Sequence, residues 1–138
     1  MSFAVDNSFA LAWCFEDERT AGIMALLDRV ADAGALAPRL WPIEALNGLL
    51  TAARRGRIDR AVRRRLAGFL QELPIEIDDE AANRSWTTTA ILAEQHRLTA
   101  FDATYLELAP RRGVPLATSD TALMAAAKVV GAQLLSTT

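Results

Sequence analysis

Residues 3–15 read FAVDNSFALAWCF, a short apolar run from Phe3 to Val5 that meets a carboxylate at Asp6 and then becomes an alanine-rich stretch of helical composition. Asp6 therefore stands at the carboxyl end of a strand. The pattern returns far down the chain, where residues 114–118, VPLAT, read as a strand ending beside Ser119 and Asp120, and TALMAAAKVV follows as a helix. A strand that hands over to a helix through an acid, found twice, is the signature of an α/β protein with its loops gathered at one sheet edge.

The residues between follow the same grammar. From Thr20 to Ala33, Ile23, Leu26, Leu27 and Val30 recur at helical spacing, with Gly34 as a left-handed stop and Ala35 to Ala37 as a short strand. Pro42 suits a first helical turn, and Ala45, Leu46, Leu49, Leu50 and Ala53 give that helix an apolar side closed by Gly56. Asp59 caps a helix striped by Val62, Leu66, Phe69, Leu70 and Leu73, and Pro74 ends it. PIEID is a strand; Asp78 or Asp79 caps a helix running through Trp86, Ile91 and Leu92 to about His96. A further helix starts near Thr99, and AQLLS is a last strand. Strands alternating with helices predict a three-layer α/β/α sandwich around a mostly parallel five-stranded sheet, in one domain over residues 1–138.

In such a sheet the ligand crevice lies beyond the carboxyl ends of the strands. Asp6 and Asp120 belong there, while Glu44 and Asp102 fall in first helical turns that can face the same crevice. Carboxylates about 4 Å apart repel by roughly 4 kcal/mol per pair at an effective dielectric near 20, so the group calls for a cation. All-oxygen ligands suit Mg²⁺ or Mn²⁺, and no Cys and His cluster favours zinc. Such an ion acidifies water and neutralises charge on a phosphodiester, which makes nucleic-acid hydrolysis the expected chemistry. Each acid also has an ordinary structural reading: Asp102 stands at capping-box distance from Thr99, Glu44 suits a helix dipole, and an Asp after a strand often caps a helix.

Composition sets the frame. The chain has 138 residues, 51% hydrophobic and 23% charged, enough for an ordered core without disulfides. One cysteine, Cys14, leaves no intramolecular disulfide to form. The N-terminal residues lack the pattern of a signal peptide, and no apolar stretch is long enough to span a bilayer, so a cytoplasmic location is expected. A net charge of −2 conceals clustering, with Arg54, Arg55, Arg57, Arg60, Arg63, Arg64 and Arg65 bunched mid-chain.

Taken together, VDNSFALAW, LWPIEALNGLL, LTAFDATYLELA and PLATSDTALMAAA resemble PIN-domain ribonucleases, specifically VapC-type toxins of bacterial toxin–antitoxin pairs. The resemblance covers nearly the full length, with the blocks in order. It implies that Asp6, Glu44, Asp102 and Asp120 are the acidic metal-site residues. Ser8 then holds the first carboxylate or a bound water, Asn47 shares a helical face with Glu44, and Thr118 orients Asp120. It further implies an RNA substrate, a homodimer and a small cognate antitoxin. Pro110 departs from the pattern and is expected to end or kink its helix early; Asn7 stands where a small residue is usual.

The basic face, with Arg55, Arg60 and Arg64, fits RNA phosphates or an acidic antitoxin segment as well as it fits a solvated surface. His96, alone of its type, reads as a helix-end residue; Trp13, Trp41 and Trp86 read as core or interface, or as base-stacking groups. Two other functions use a similar scaffold. One is a receiver-like phosphorylatable module with Asp79, Thr118 and Lys128 as its parts, although Lys128 lies within a helical stretch. The other is a PIN-like binding scaffold without catalysis.

Overall fold

A computed structural model of the chain describes residues 2–135. Its strands are β1 (Ala4–Val5), β2 (Ala35–Pro38), β3 (Ile75–Asp78) and β4 (Leu116–Ala117), all parallel, in the order β3-β2-β1-β4. Side chains alternate across this sheet with strand periodicity. Phe3, Val5, Ala35, Ala37 and Ala117 enter one core, whereas Ala4, Leu36 and Leu116 enter the other. The first core is closed by α1 (Asn7–Cys14), α2 (Ala21–Ala33), α3 (Trp41–Arg54) and α4 (Arg60–Glu72), through Trp13, Val30, Leu49 and Leu70. The second is closed by α7 (Ala100–Arg112) and α8 (Thr121–Val130), through Tyr105, Leu108 and Leu123.

The sheet has four strands rather than the five expected. Of AQLLS, Ser136 lies outside the described residues, and the rest makes one parallel bridge, Leu134 to Leu116. The rungs on either side of Leu116 are spent elsewhere. The Val114 N–H caps α7 by donating to the Ala109 carbonyl at 3.0 Å, and by Thr118 the chain has left the strand.

Between β3 and α7 the expected single helix is three pieces: α5 (Glu80–Asn83), a π-helical turn (Ser85–Thr89) and α6 (Ala90–His96). Asp78 rather than Asp79 supplies the cap, accepting from the Ala81 N–H at 2.9 Å. Gly34 has a positive φ of 76° but an extended ψ of 176°, so it turns the chain straight into β2 instead of adding a left-handed helical residue.

Pro110 does not shorten α7, which runs on to Arg112. One N–H is lost in the last turn, but the two residues beyond are anchored. Arg111 bonds Glu107 at 2.7 Å and Asp78 at 3.0 Å; Arg112 bonds Asp78 at 2.8 Å and Glu76 at 2.7 Å. Burial alone would push the Asp78 carboxyl up, but bonds from Arg111, Arg112 and the Ala81 N–H outweigh it and hold the pKa at about 2.

Candidate metal centre

β1 has β2 on one side and β4 on the other, so the chain reverses its direction of travel across the sheet beside Asp6. Asp6 is 5% exposed. It caps α1, accepting from the Ser8 N–H at 3.2 Å and the Ser8 hydroxyl at 3.1 Å. Because Val5 is in register with Ala117, Thr118 arrives beside Asp6, and its hydroxyl donates to Asp6 Oδ2 at 2.5 Å. The same Thr118 oxygen accepts the Asp120 N–H at 3.0 Å. Asp120 then caps α8, taking the Leu123 N–H at 2.8 Å. One hydroxyl thus ties the two strand ends together.

Glu44 and Asp102 reach this edge from opposite layers. Glu44 lies in the first turn of α3, on one face of the sheet, and Asp102 in the first turn of α7, on the other. Glu44 Oε1 accepts the hydroxyl of Tyr105 at 2.7 Å, a contact that spans the strand ends. Asp102 follows the cap its sequence announced, donating its N–H to Thr99 Oγ1 at 3.1 Å.

The acids feel one another. Burial pushes the Glu44 carboxyl above its ordinary range; the Tyr105 hydroxyl opposes this, while Asp6 and Asp102 add to it. Burial likewise raises Asp102, helped by Asp6 and Asp120 and opposed by Thr99. Tyr105 is pushed far up by burial and by Glu44, so it is a permanent donor. Among the described residues, the hydrogen bonds reaching these acids come from hydroxyls and backbone N–H groups, with no arginine or lysine involved. Nor, among the described residues, do any three His, Cys, Asp or Glu side chains already stand at ligand spacing. The donors on Asp6, Glu44 and Asp120 are the hydroxyls of Ser8, Thr118 and Tyr105 and the N–H groups of Ser8 and Leu123. An all-oxygen, net-negative donor set with no protein counter-charge fits a hard divalent ion.

Tyr105 was missed in the sequence, where it reads as an apolar helix position. Its only signal was a polar tip on an otherwise apolar side, which needs a partner once buried. Asn47 is exposed one turn beyond Glu44. Arg55, Arg60 and Arg64 are exposed, but they lie at the far end of α3 and the start of α4. At 1.5 Å per residue, the end of α3 is about 15 Å from Glu44. Arg57 is committed within the chain, bonding Asp17 at 2.6 Å and stacking over Phe15. Cys14 is buried, its thiol pushed up to about 11 by burial, and is no nucleophile. The receiver-like parts are dispersed: Asp79 follows edge strand β3 and pairs with Arg39, Thr118 follows β4 at the opposite edge, and Lys128 lies in the last turn of α8.

Fold and site thus define a parallel α/β protein with a carboxylate-lined edge at its topological switch point. The PIN domain family model matches residues 3–129, and the chain belongs to that family. PIN domains are in general metal-dependent nucleases. Similar solved structures include PAE2754 from Pyrobaculum aerophilum, 25% identical with a TM-score of 0.67, covering 91% of this chain and 84% of that one. FitAcB from Neisseria gonorrhoeae is 16% identical with a TM-score of 0.69, covering 99% and 98%, a likeness of fold alone. No curated protein matches the sequence.

Proposed function

We propose that this chain is an Mg²⁺- or Mn²⁺-dependent endoribonuclease, the toxin of a toxin–antitoxin pair whose cutting of RNA inhibits translation. The observation that carries the reading is that Thr118 bonds both Asp6 and Asp120 at the strand ends, with Glu44 and Asp102 in the first turns of α3 and α7, in a PIN-family chain. Those four residues would hold the ion, directly or through water. A bound divalent ion would supply charge neutralisation at the phosphodiester and a more acidic water.

The chain's own groups have the following tasks. Ser8 and Thr118 fix the Asp6 carboxylate, Thr118 also sets the turn into Asp120, and Tyr105 fixes Glu44. Asn47 stays a supporting residue by position alone. Arg55, Arg60 and Arg64 would bind RNA phosphates, or an acidic antitoxin segment, away from the acids. A 380 Å³ apolar groove lined by Trp41, Leu46, Leu49, Leu70 and Ile77 offers a small antitoxin a place to dock. Homodimerisation follows from the family resemblance. No helix among the described residues is long and apolar enough to cross a membrane.

The test is RNA cleavage by purified protein with Mg²⁺ or Mn²⁺, followed by sequencing of the new RNA ends. Cleavage should stop with EDTA and be lost in Asp6→Asn. Full activity of Asp6→Asn after removal of contaminating nucleases sinks the proposal. Absence of divalent-ion binding in calorimetry would leave a binding scaffold in its place.

A further inference from the structure

Trp86 is 92% exposed, whereas Trp13 and Trp41 are 1% and 6% exposed. The cause is local. In an α-helix, residues 86 and 89 share a face, but here they lie in a π-helical turn. Thr89 is buried at 3% exposure, and the indole is left outside. Such turns are interruptions that recur at functional sites.

Its neighbour Ser85 lines a cavity of about 280 Å³ together with Pro38, Arg39, Leu40, Ala81 and Thr104. Pro38 ends β2, so this cavity opens at the same sheet edge as the acids. It shares two walls with them. The Leu40 carbonyl accepts the Glu44 N–H at 3.1 Å, and Thr104 sits on α7 between Asp102 and Tyr105. On its rim, Arg39 bonds Asp79 at 2.6 Å, with both side chains about 70% exposed, 69% and 72%. An ion pair that open contributes little net stability, so the guanidinium can exchange Asp79 for a phosphate.

We propose that Trp86 and this cavity form a subsite for one unpaired base of the RNA strand, with Arg39 on the adjoining phosphate; the assignment rests on the nuclease reading. An exposed indole one residue on from the Ser85 wall of a mostly apolar cavity, with Arg39 on its rim, offers what a splayed base needs, a flat face to stack on and a cation for its backbone. A base locked in a duplex presents no free face, so the subsite favours single strands or loops.

The experiment is anisotropy titration of a labelled unpaired oligoribonucleotide, and of its duplex, in EDTA so that no cutting occurs. Trp86→Ala should weaken binding of the unpaired strand about tenfold, equivalent to about 1.4 kcal/mol, with Trp86→Phe retaining most of the affinity and duplex binding unchanged. Quenching of wild-type tryptophan fluorescence by RNA should vanish in Trp86→Phe. Wild-type affinity of Trp86→Ala, or an equal loss for duplex, overturns the subsite. So does unchanged RNA affinity with altered self-association in sedimentation, which would make Trp86 a protein contact. If the wild type neither binds nor cuts RNA, the nuclease reading falls with it; if it cuts normally and Trp86→Ala binds normally, the subsite alone falls.

Discussion

Thr118 and Asp6, 112 positions apart in the chain, share a 2.5 Å hydrogen bond, and the same threonine oxygen accepts the Asp120 N–H at 3.0 Å. Parallel pairing of β1 with β4 makes this contact, and the contact in turn fixes where two of the acids stand. Thr118→Val keeps the shape but removes both bonds. Cleavage should fall about 10- to 100-fold, as for other groups that orient metal ligands. Leaving the part-buried Asp120 N–H unpartnered and Asp6 Oδ2 with the Ser8 hydroxyl as its remaining donor should also cost about 1–3 kcal/mol in urea unfolding. Full activity in Thr118→Val would remove the threonine from the site.

Tyr105→Phe tests the bridge between layers. The ring still fills the core, so the main loss is the 2.7 Å bond to Glu44. That bond opposes the upward push of burial on Glu44, and without it the Glu44 carboxyl should titrate higher still. Metal affinity by calorimetry should drop about tenfold or more near neutral pH and recover in part at higher pH. A pH-independent defect would contradict this account.

Glu44 and Asp102 are both raised by burial first and by neighbouring acids after it. The folded state therefore holds these protons more tightly than the unfolded chain does, and metal-free stability falls as pH rises from the ordinary carboxylate range into the raised one. In EDTA at neutral pH, Asp102→Asn should melt above the wild type. Added Mn²⁺ should stabilise the wild type by mass action and the variant less. A lower melting temperature for the metal-free variant would mean that the Asp102 carboxylate chiefly stabilises the first turn of α7.

Asp78 shows the opposite sign. Its pKa of about 2 lies below the ordinary 3.8, so its contribution is complete above 3.8 and is lost as pH falls through that range toward 2. The shift corresponds to about 2 kcal/mol. Asp78→Ala leaves Arg111, 17% exposed, without one of its partners and should destabilise the fold by about 3–5 kcal/mol. Acid unfolding monitored by circular dichroism should show the wild-type transition flatten in the variant.

For the basic face, Arg55→Ala, Arg60→Ala and Arg64→Ala should each reduce the slope of log affinity for single-stranded RNA against log salt by about 0.7 if the side chain meets a phosphate. An unchanged slope in all three marks that face as solvated, or as belonging to a protein partner.

Much was legible without coordinates because it is written in short-range chemistry. Short strands at residues 3–5 and 35–37, a helix cap at Asp59, a helix start near Thr99 and acids at element boundaries follow from rules that act over a few residues. These determined the parallel α/β class and the family. Other features depend on what lies opposite in space. The fifth strand shrank to one bridge because the Val114 N–H was taken by α7, and α7 ran past Pro110 because Asp78 from a distant strand held Arg111. Tyr105 became part of the site only when two layers met over the strand ends, and Trp86 is exposed within a stretch, residues 82–88, that the fold leaves outside. The sequence by itself determined which carboxylates reach the sheet edge, since each sits at the end of an element. Tertiary structure decided which hydroxyls hold them, because those partners lie 61 and 112 residues away and are matched only by strand register and helix crossing.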